Sequence, residues 1–117
     1  MVELLSSPSS AQLDAVFHAL GDATRRQMLR DVASGERTVG ELAAPLEMSL
    51  AAASKHIKVL EAAGLLRREV RGRNHVCSLG PGPLASALEW LKFYEVFWAS
   101  GLDRLEHLLR ADTPTPP

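Results

Sequence analysis

Four cationic side chains are spaced in a way that suits contact with phosphates. Lys55 and Lys58 lie three residues apart in an alanine-rich stretch, and Arg71 and Arg73 flank Gly72 in a sequence typical of a tight turn. Lysine and arginine bind phosphate oxygens through charge-assisted hydrogen bonds. Because no hydrophobic core requires arginines at a turn, the pattern indicates a surface that binds a polyanion.

The sequence offers no set of residues typical of catalysis. It has no glycine-rich phosphate loop, no convincing pair of nucleophile and base, and no paired carboxylates in a pocket-forming context. We therefore expect no enzymatic activity and no cofactor.

Two short helical patterns position the lysines. The first begins at a capping box formed by Thr38 and Glu41, and the second begins at Ser49. An apolar stripe between Ala53 and Leu60 faces inward and leaves small, polar and cationic residues on the other side. Such a helix fits the major groove of B-DNA, which is about 12 Å wide. An αα-hairpin in a helical bundle, with solvated lysines, is the alternative.

A basic β-hairpin follows the second helix directly. Gly64 has the position of a left-handed helix cap, and the residues from Leu65 to Leu79 read as two strands around a turn at Gly72. A hairpin directly after a candidate recognition helix is typical of a wing, whose tip reaches phosphates or the minor groove. The residues assigned to DNA are Ser49, Leu50, Ala51, Ser54 and Lys55 on the groove face, and Lys58, Arg71 and Arg73 at phosphates or at the groove contact of the wing.

These motifs together resemble those of the ArsR-type winged helix-turn-helix repressors of bacteria. The resemblance extends from about Leu13 to Leu79, and the segments that carry it are 17–26, 38–43, Ser49 with 53–60, 63–66 and the Arg-Gly-Arg turn. It implies a homodimeric transcriptional regulator that binds a palindromic operator and leaves the DNA when an inducer binds.

Many members of that family sense metals, through cysteine pairs in the first helix of the helix-turn-helix or through His and carboxylate clusters on the last helix. Here the segment 41–46 has no thiol, and the last helix offers only Asp103, Glu106 and His107. We expect no metal site, since zinc normally takes four ligands. A dimeric metal- or thiol-responsive sensor of the same fold is an alternative, although Cys77 lacks the second thiol that redox sensing typically needs.

Charge is unevenly distributed along the chain. The 117 residues carry a net charge of −1, whereas the segment 49–76 carries +4, from six lysines and arginines against two glutamates, which leaves −5 for the rest. A basic face on an acidic body favours binding of DNA through one surface. The single cysteine, and a start without a positive region or a long apolar run, predict a cytoplasmic protein with no signal peptide and no membrane association.

The periodicity predicts one domain, of mainly α class, between two unstructured ends. We expect a flexible arm at 1–10, a winged helix-turn-helix domain with a C-terminal dimerisation helix at 11–110, and a disordered tail at 111–117. The predicted order is α-α-α-α-β-β-α, and a Gly-Pro-Gly-Pro break at 80–83 precedes a last helix that runs from Leu84 to about Arg110.

The last helix carries more apolar residues than one small domain can cover. Two such helices, packed with the first helices about a two-fold axis, would bury them, and the pair would meet an inverted-repeat operator with half-sites about 10 bp apart. The residues assigned to the dimer interface are Trp90, Phe93, Tyr94, Phe97, Trp98, Leu102 and Leu105. The alternatives are an internal core helix, a pocket for an unidentified small-molecule effector among Trp90, Phe93, Tyr94 and Trp98, and an interaction module without DNA binding.

Overall fold

The computed structural model describes residues 9–112. Its elements are α1 (Ser10–Leu20), α2 (Ala23–Ser34), β1 (Arg37–Thr38), α3 (Val39–Ala43), a 3-10 turn (Ala44–Leu46), α4 (Leu50–Ala62), β2 (Leu66–Arg71), β3 (Asn74–Leu79) and α5 (Pro81–Asp112). The predicted order is confirmed, and the structure adds the two-residue strand β1. The predicted arm and tail fall largely outside the described residues, although Ser9 caps α1 and Ser10 begins it.

Side-chain caps fix the starts of the two helices in the helix-turn-helix. At α3 the N–H of Glu41 donates to Thr38 Oγ1 at 3.1 Å, and the N–H of Thr38 donates to Glu41 Oε1 at 2.8 Å. At α4 the N–H of Ala52 donates to Ser49 Oγ at 3.1 Å. Each bond satisfies a backbone donor near a helix start, as the sequence predicted for both helices.

The turn between α3 and α4 is tight. Pro45 lies in the first turn of the 3-10 segment, where a missing N–H costs little. Glu47 follows with a φ of +53°, a left-handed conformation that ends the segment, and its N–H donates to the carbonyl oxygen of Ala44 at 3.2 Å. This reversal brings the chain to Ser49 and the start of α4.

A three-stranded antiparallel sheet in the order β1-β3-β2 forms the base of the wing. The pairing of β2 with β3 runs from Leu66 opposite Leu79 to Arg71 opposite Asn74, and β1 places Arg37 opposite Cys77. The added strand therefore attaches the start of α3 to the wing.

The hydrophobic core lies where α1 to α4 meet the sheet. The buried residues from the helices are Val16, Ala19, Met28, Leu29, Val32, Leu42, Ala43, Ala53, Ile57, Leu60 and Ala87, and Ala63, Leu65, Leu66 and Cys77 join them from the sheet and the loop before it. The predicted inward stripe of α4 is confirmed, and α2 contributes Met28, Leu29 and Val32 in the same way. Phe17 on α1 is 37% exposed and is not part of this core.

The last helix starts earlier than the sequence predicted. The sequence predicts a break at 80–83, but α5 begins at Pro81. Proline is tolerated in the first turn of a helix, where its backbone needs no hydrogen bond, so Pro81 and Pro83 start this helix and do not delay it. By its contacts the chain divides after Ala87 into a first unit and a second unit that begins at Leu88. Within residues 9–112 no helix has the length and apolarity needed to cross a bilayer.

Candidate nucleic-acid interface

Helix α4 is anchored on one side and open on the other. Ala53, Ile57 and Leu60 are fully buried, and they recur at the spacing of one helical face. Lys55 and Lys58 lie on the opposite face and are exposed. Neither lysine has an ion-pair partner among the residues that the structure describes. The helix therefore presents two unneutralised cations to solvent.

The first turn of α4 borders an open groove of about 440 Å³. Leu50 is 61% exposed there, and Ser54 is half-buried one turn further on. The groove is lined by Thr38, Val39, Gly40, Leu50, Ser54, Arg68, Arg73, Asn74 and His75. It thus joins the recognition helix, the start of α3 and the wing tip in one continuous surface. Ser49 and Ala51, which were also assigned to DNA, are exposed on the same turn of α4.

The wing tip projects Arg73 toward this groove. Gly72, at a φ of +62°, and Arg73 form the two-residue turn between β2 and β3. Arg73 is exposed and, within the described part of the chain, has no carboxylate partner. Its guanidinium is thus available to an external anion.

Arg71 is held differently. Its guanidinium donates twice to Glu36, at 2.7 Å and 3.1 Å, and once to Glu69, at 3.0 Å. These charge-assisted bonds lower the pKa of Glu36 and raise the pKa of Arg71. The phosphate contact assigned to Arg71 stays a prediction. In this structure the side chain clamps the wing to the turn that precedes β1.

The Glu36→Gln variant is expected to loosen the wing without unfolding the protein. The folded-state pKa of Glu36 is below its ordinary value of 4.5, so the clamp is fully formed above that pH and is lost as the pH falls through the lowered pKa. At pH 7 the variant should show faster amide hydrogen exchange in β2 and β3. Glu69→Gln, which removes only one of the three bonds, is the matched control and should show a smaller increase. Equal exchange in both variants and the wild type would rule out the clamp.

A second ion pair attaches the wing to the recognition helix. Arg68 Nη2 lies 2.9 Å from Glu61 Oε1, and both side chains are half-buried. Sequence reasoning assigned no role to either residue. Strand alternation offered a signal, because Arg68 lies two residues after the buried Leu66 and therefore on the same face of β2.

Arg25 connects α4 to the helices behind it. Its Nε donates to the carbonyl oxygen of Ala19 at 2.8 Å, and its Nη2 donates to that of His18 at 3.0 Å. Its Nη1 lies 3.4 Å from His56 Nδ1 on α4. One arginine thus satisfies carbonyls at the end of α1 and contacts the recognition helix, which fixes the orientation of the groove-facing side.

The lone thiol lies in the core. Cys77 is fully buried on β3, and desolvation raises the pKa of its thiol. A thiol with a raised pKa stays protonated at neutral pH and reacts slowly. Across residues 9–112, no three His, Cys, Asp or Glu side chains are grouped as metal ligands would be.

The residues assigned to the dimer interface all lie on the part of α5 that belongs to the second unit. In the single chain their exposed fractions are 43% for Trp90, 69% for Phe93, 38% for Tyr94, 63% for Phe97, 60% for Trp98, 66% for Leu102 and 52% for Leu105. Rings pack along the helix, with centroids 5.0 Å apart for both Trp90–Tyr94 and Phe93–Tyr94. Two shallow concavities on this segment centre on Trp98, and neither is lined by Trp90, Phe93 or Tyr94.

Comparison with known proteins agrees with this geometry. Residues 20–69 match the family model described as "Helix-turn-helix domain". The chain is 35% identical over 99 residues to the HTH-type transcriptional regulator Rv2034 of Mycobacterium tuberculosis, which covers 85% of this chain and 90% of that protein.

Two solved structures have the same fold. The crystal structure of the ArsR family transcriptional regulator RHA00566 superposes with a TM-score of 0.73 at 36% identity, covering 80% of this chain and 97% of that one. The second is the solution structure of the homodimeric winged helix-turn-helix domain of Mb0332 from Mycobacterium bovis, a possible ArsR-family regulator. It superposes with a TM-score of 0.57 at 25% identity, covering 83% of this chain and 84% of that one. With its helix-turn-helix, its wing and these relatives, the chain belongs to the ArsR family of transcriptional regulators.

Proposed function

We propose that this regulator is a homodimeric repressor that binds an inverted-repeat operator through α4 and the wing. The observation that carries the proposal is a set of exposed cations that have no carboxylate partner among residues 9–112. Lys55 and Lys58 lie on the exposed side of α4 and Arg73 lines the groove beside it, whereas Arg68 and Arg71 are already paired within the chain. DNA phosphates would supply the anionic partners for Lys55, Lys58 and Arg73.

Base recognition in this proposal belongs to the first turn of α4. Ser49, Leu50, Ala51, Ser54 and Lys55 would face base edges, and Lys58 and Arg73 would contact phosphates or the wing's groove. Small side chains at Ala51 and Ser54 let the helix approach closely, and Leu50 offers an apolar surface to thymine methyl groups. Arg71 already donates to Glu36 and Glu69, so its main role in the proposal is to hold the wing.

Dimerisation is supported by the second unit. It exposes large apolar side chains along α5, and monomeric proteins rarely leave such a contiguous surface uncovered. The similar domain of Mb0332 is homodimeric. A two-fold pair would place two copies of α4 in successive major grooves, about 10 bp apart. Bound at a promoter, such a pair would occlude the polymerase, which is the basis of the proposed repression.

Two substitutions should separate phosphate contacts from base contacts. Arg73→Ala is expected to weaken binding to all sequences alike and to reduce the slope of log K against log salt by about 1 per site. Lys55→Ala should additionally change base preference at one position of each half-site, by about 1–3 kcal/mol. Arg104→Ala, which removes an exposed cation from α5, is the control and should do neither. Equal loss of operator and random DNA in Lys55→Ala would contradict the base contact.

The proposed function is tested by selecting bound sequences from random DNA and searching the native upstream region for the result. An enriched inverted repeat, bound more weakly at higher salt, is the expected outcome. The alternative, a dimeric interaction module without DNA binding, predicts no enrichment from any DNA pool.

A further inference from the structure

A second cavity lies in the first unit and shares no residue with the DNA-facing groove. It has a volume of about 280 Å³ and is lined by Leu20, Arg26, Leu29, Arg30, Ala33, Leu79 and Leu84. Five of these seven side chains are aliphatic, and they come from α1, α2, β3 and the start of α5. The cavity therefore has an apolar floor contributed by four elements.

Two arginines form one wall of this cavity. Arg26 and Arg30 lie four residues apart on α2, so they occupy the same face of the helix and repel each other. Arg26 Nη1 donates to the carbonyl oxygen of Leu20 at 2.7 Å, which holds the guanidinium beside the apolar floor. Throughout residues 9–112, neither arginine has a carboxylate within 4.0 Å.

The same arginines also line a smaller recess of about 190 Å³, with Ala23 and Gln27. They therefore stand between an apolar cavity and a recess of mixed polarity. A ligand that satisfies both sides needs an apolar body and an anionic head, because an ionised group bonded to two guanidiniums relieves their repulsion.

We propose that this cavity binds an amphipathic organic anion, namely a carboxylate with an aliphatic chain. The site is open to solvent, so its volume does not fix the length of the chain, and a chain of medium length such as that of decanoate can lie along the apolar floor. Leu29, Leu79 and Leu84 contact the chain, and Arg26 and Arg30 bind the head.

Binding at this site leaves the DNA-facing groove open. Strand β3 contributes to both sites, but through opposite ends: His75 lines the groove, and Leu79 lines the cavity. Four residues of strand separate them by roughly 13 Å, at about 3.3 Å per residue. The inference does not rest on the proposed DNA function, and its test contains no DNA.

The test is an NMR titration of the full-length protein with decanoate below its micelle concentration. Saturable shifts at the amides of Leu29, Ala33 and Leu79 are expected. 1-Decanol, which has the chain without the charge, and acetate, which has the charge without the chain, should each bind at least tenfold more weakly. Equal affinity for decanoate and 1-decanol, or shifts confined to residues 88–110, would overturn the proposal.

Variants give the second arm of the test. Arg30→Gln should weaken decanoate binding at least tenfold, while Arg67→Gln, the same change at an exposed arginine outside the cavity, should leave it unchanged. Ala33→Trp should fill the cavity and abolish binding. Ala33 is exposed, so the fold is expected to tolerate the larger side chain, and circular dichroism checks this. If Ala33→Trp fails to fold, the comparison of Arg30→Gln with Arg67→Gln still tests the site. Equal decanoate affinity in those two variants would contradict it.

Discussion

The Trp98→Glu variant is expected to be monomeric and to bind operator DNA at least 100-fold more weakly. Trp98 is 60% exposed in the single chain, so the change should not unfold it. Its neighbours at four and seven residues along α5 are Tyr94, Leu102, Leu91 and Leu105, all apolar. A two-fold interface would contain two copies of the new charge. Loss of two aromatic anchors costs about 4 kcal/mol or more, which raises the dimer dissociation constant roughly 1,000-fold.

Val96→Glu is the matched control for this variant. Val96 is 68% exposed on the same helix, but its neighbours at four and seven residues are Lys92, Ser100, Glu89 and Asp103, all polar. Because only Phe93, three residues away, connects Val96 to the aromatic face, the new charge should weaken the dimer much less than Trp98→Glu does. Sedimentation velocity at micromolar concentration measures both variants. A dimeric Trp98→Glu, or a Val96→Glu that dissociates equally, would show that the aromatic face is not the interface.

Gly80→Ala is expected to destabilise the first unit by about 3 kcal/mol, the upper end for overpacking of a close contact. The N–H of Gly80 donates to the carbonyl oxygen of Leu65 at 2.8 Å, which brings two backbone segments together. An added Cβ at Gly80 would overlap the carbonyl oxygen of Gly64. Gly64 has little freedom to move away, since it ends α4 at a φ of +74°. The melting temperature should therefore fall by roughly 12 °C or more.

Gly82→Ala provides the comparison. Gly82 lies in the first turn of α5, and an added Cβ there would meet nothing within 4 Å. Alanine forms helix better than glycine, but the ring of Pro83 crowds a Cβ on the residue before it, so the two effects oppose each other. This variant should melt much closer to the wild-type temperature than Gly80→Ala does. Both are measured by circular dichroism at one protein concentration, because dimerisation couples melting to concentration. Similar melting of the two variants would contradict the close contact.

The helix-turn-helix was predictable because its signals are local. A capping box at Thr38 and Glu41, a cap at Ser49 and the stripe from Ala53 to Leu60 each depend on residues at most a few positions apart. The structure has all three. Local hydrogen bonds and periodicity specify such features within a few residues of sequence.

The wing clamp was not predictable from local patterns. Glu36 and Arg71 are 35 residues apart in the sequence and meet only because β1 pairs with β3. A two-residue strand such as β1 is too short for alternation to mark it. Sequence reasoning therefore treated Arg71 and Arg73 as equivalent, whereas the structure pairs one with carboxylates and leaves the other exposed.

The start of α5 was misplaced for a different reason. Glycine and proline at 80–83 were read as a break, yet proline also suits the first positions of a helix. The presence of glycine and proline alone therefore does not distinguish a break in the chain from the start of a helix. The contacts of this segment are tertiary, since Gly80 lies against the backbone of Gly64 and Pro83 lies near Gly64.

The central claim is that two chains, each presenting α4 and Arg73, act together on one operator. Native mass spectrometry of the protein with its selected operator tests this most directly. We expect two chains per duplex when both half-sites are present, and at least 100-fold weaker binding when one half-site is scrambled. One chain per duplex, or equally tight binding to the single half-site, would contradict the account.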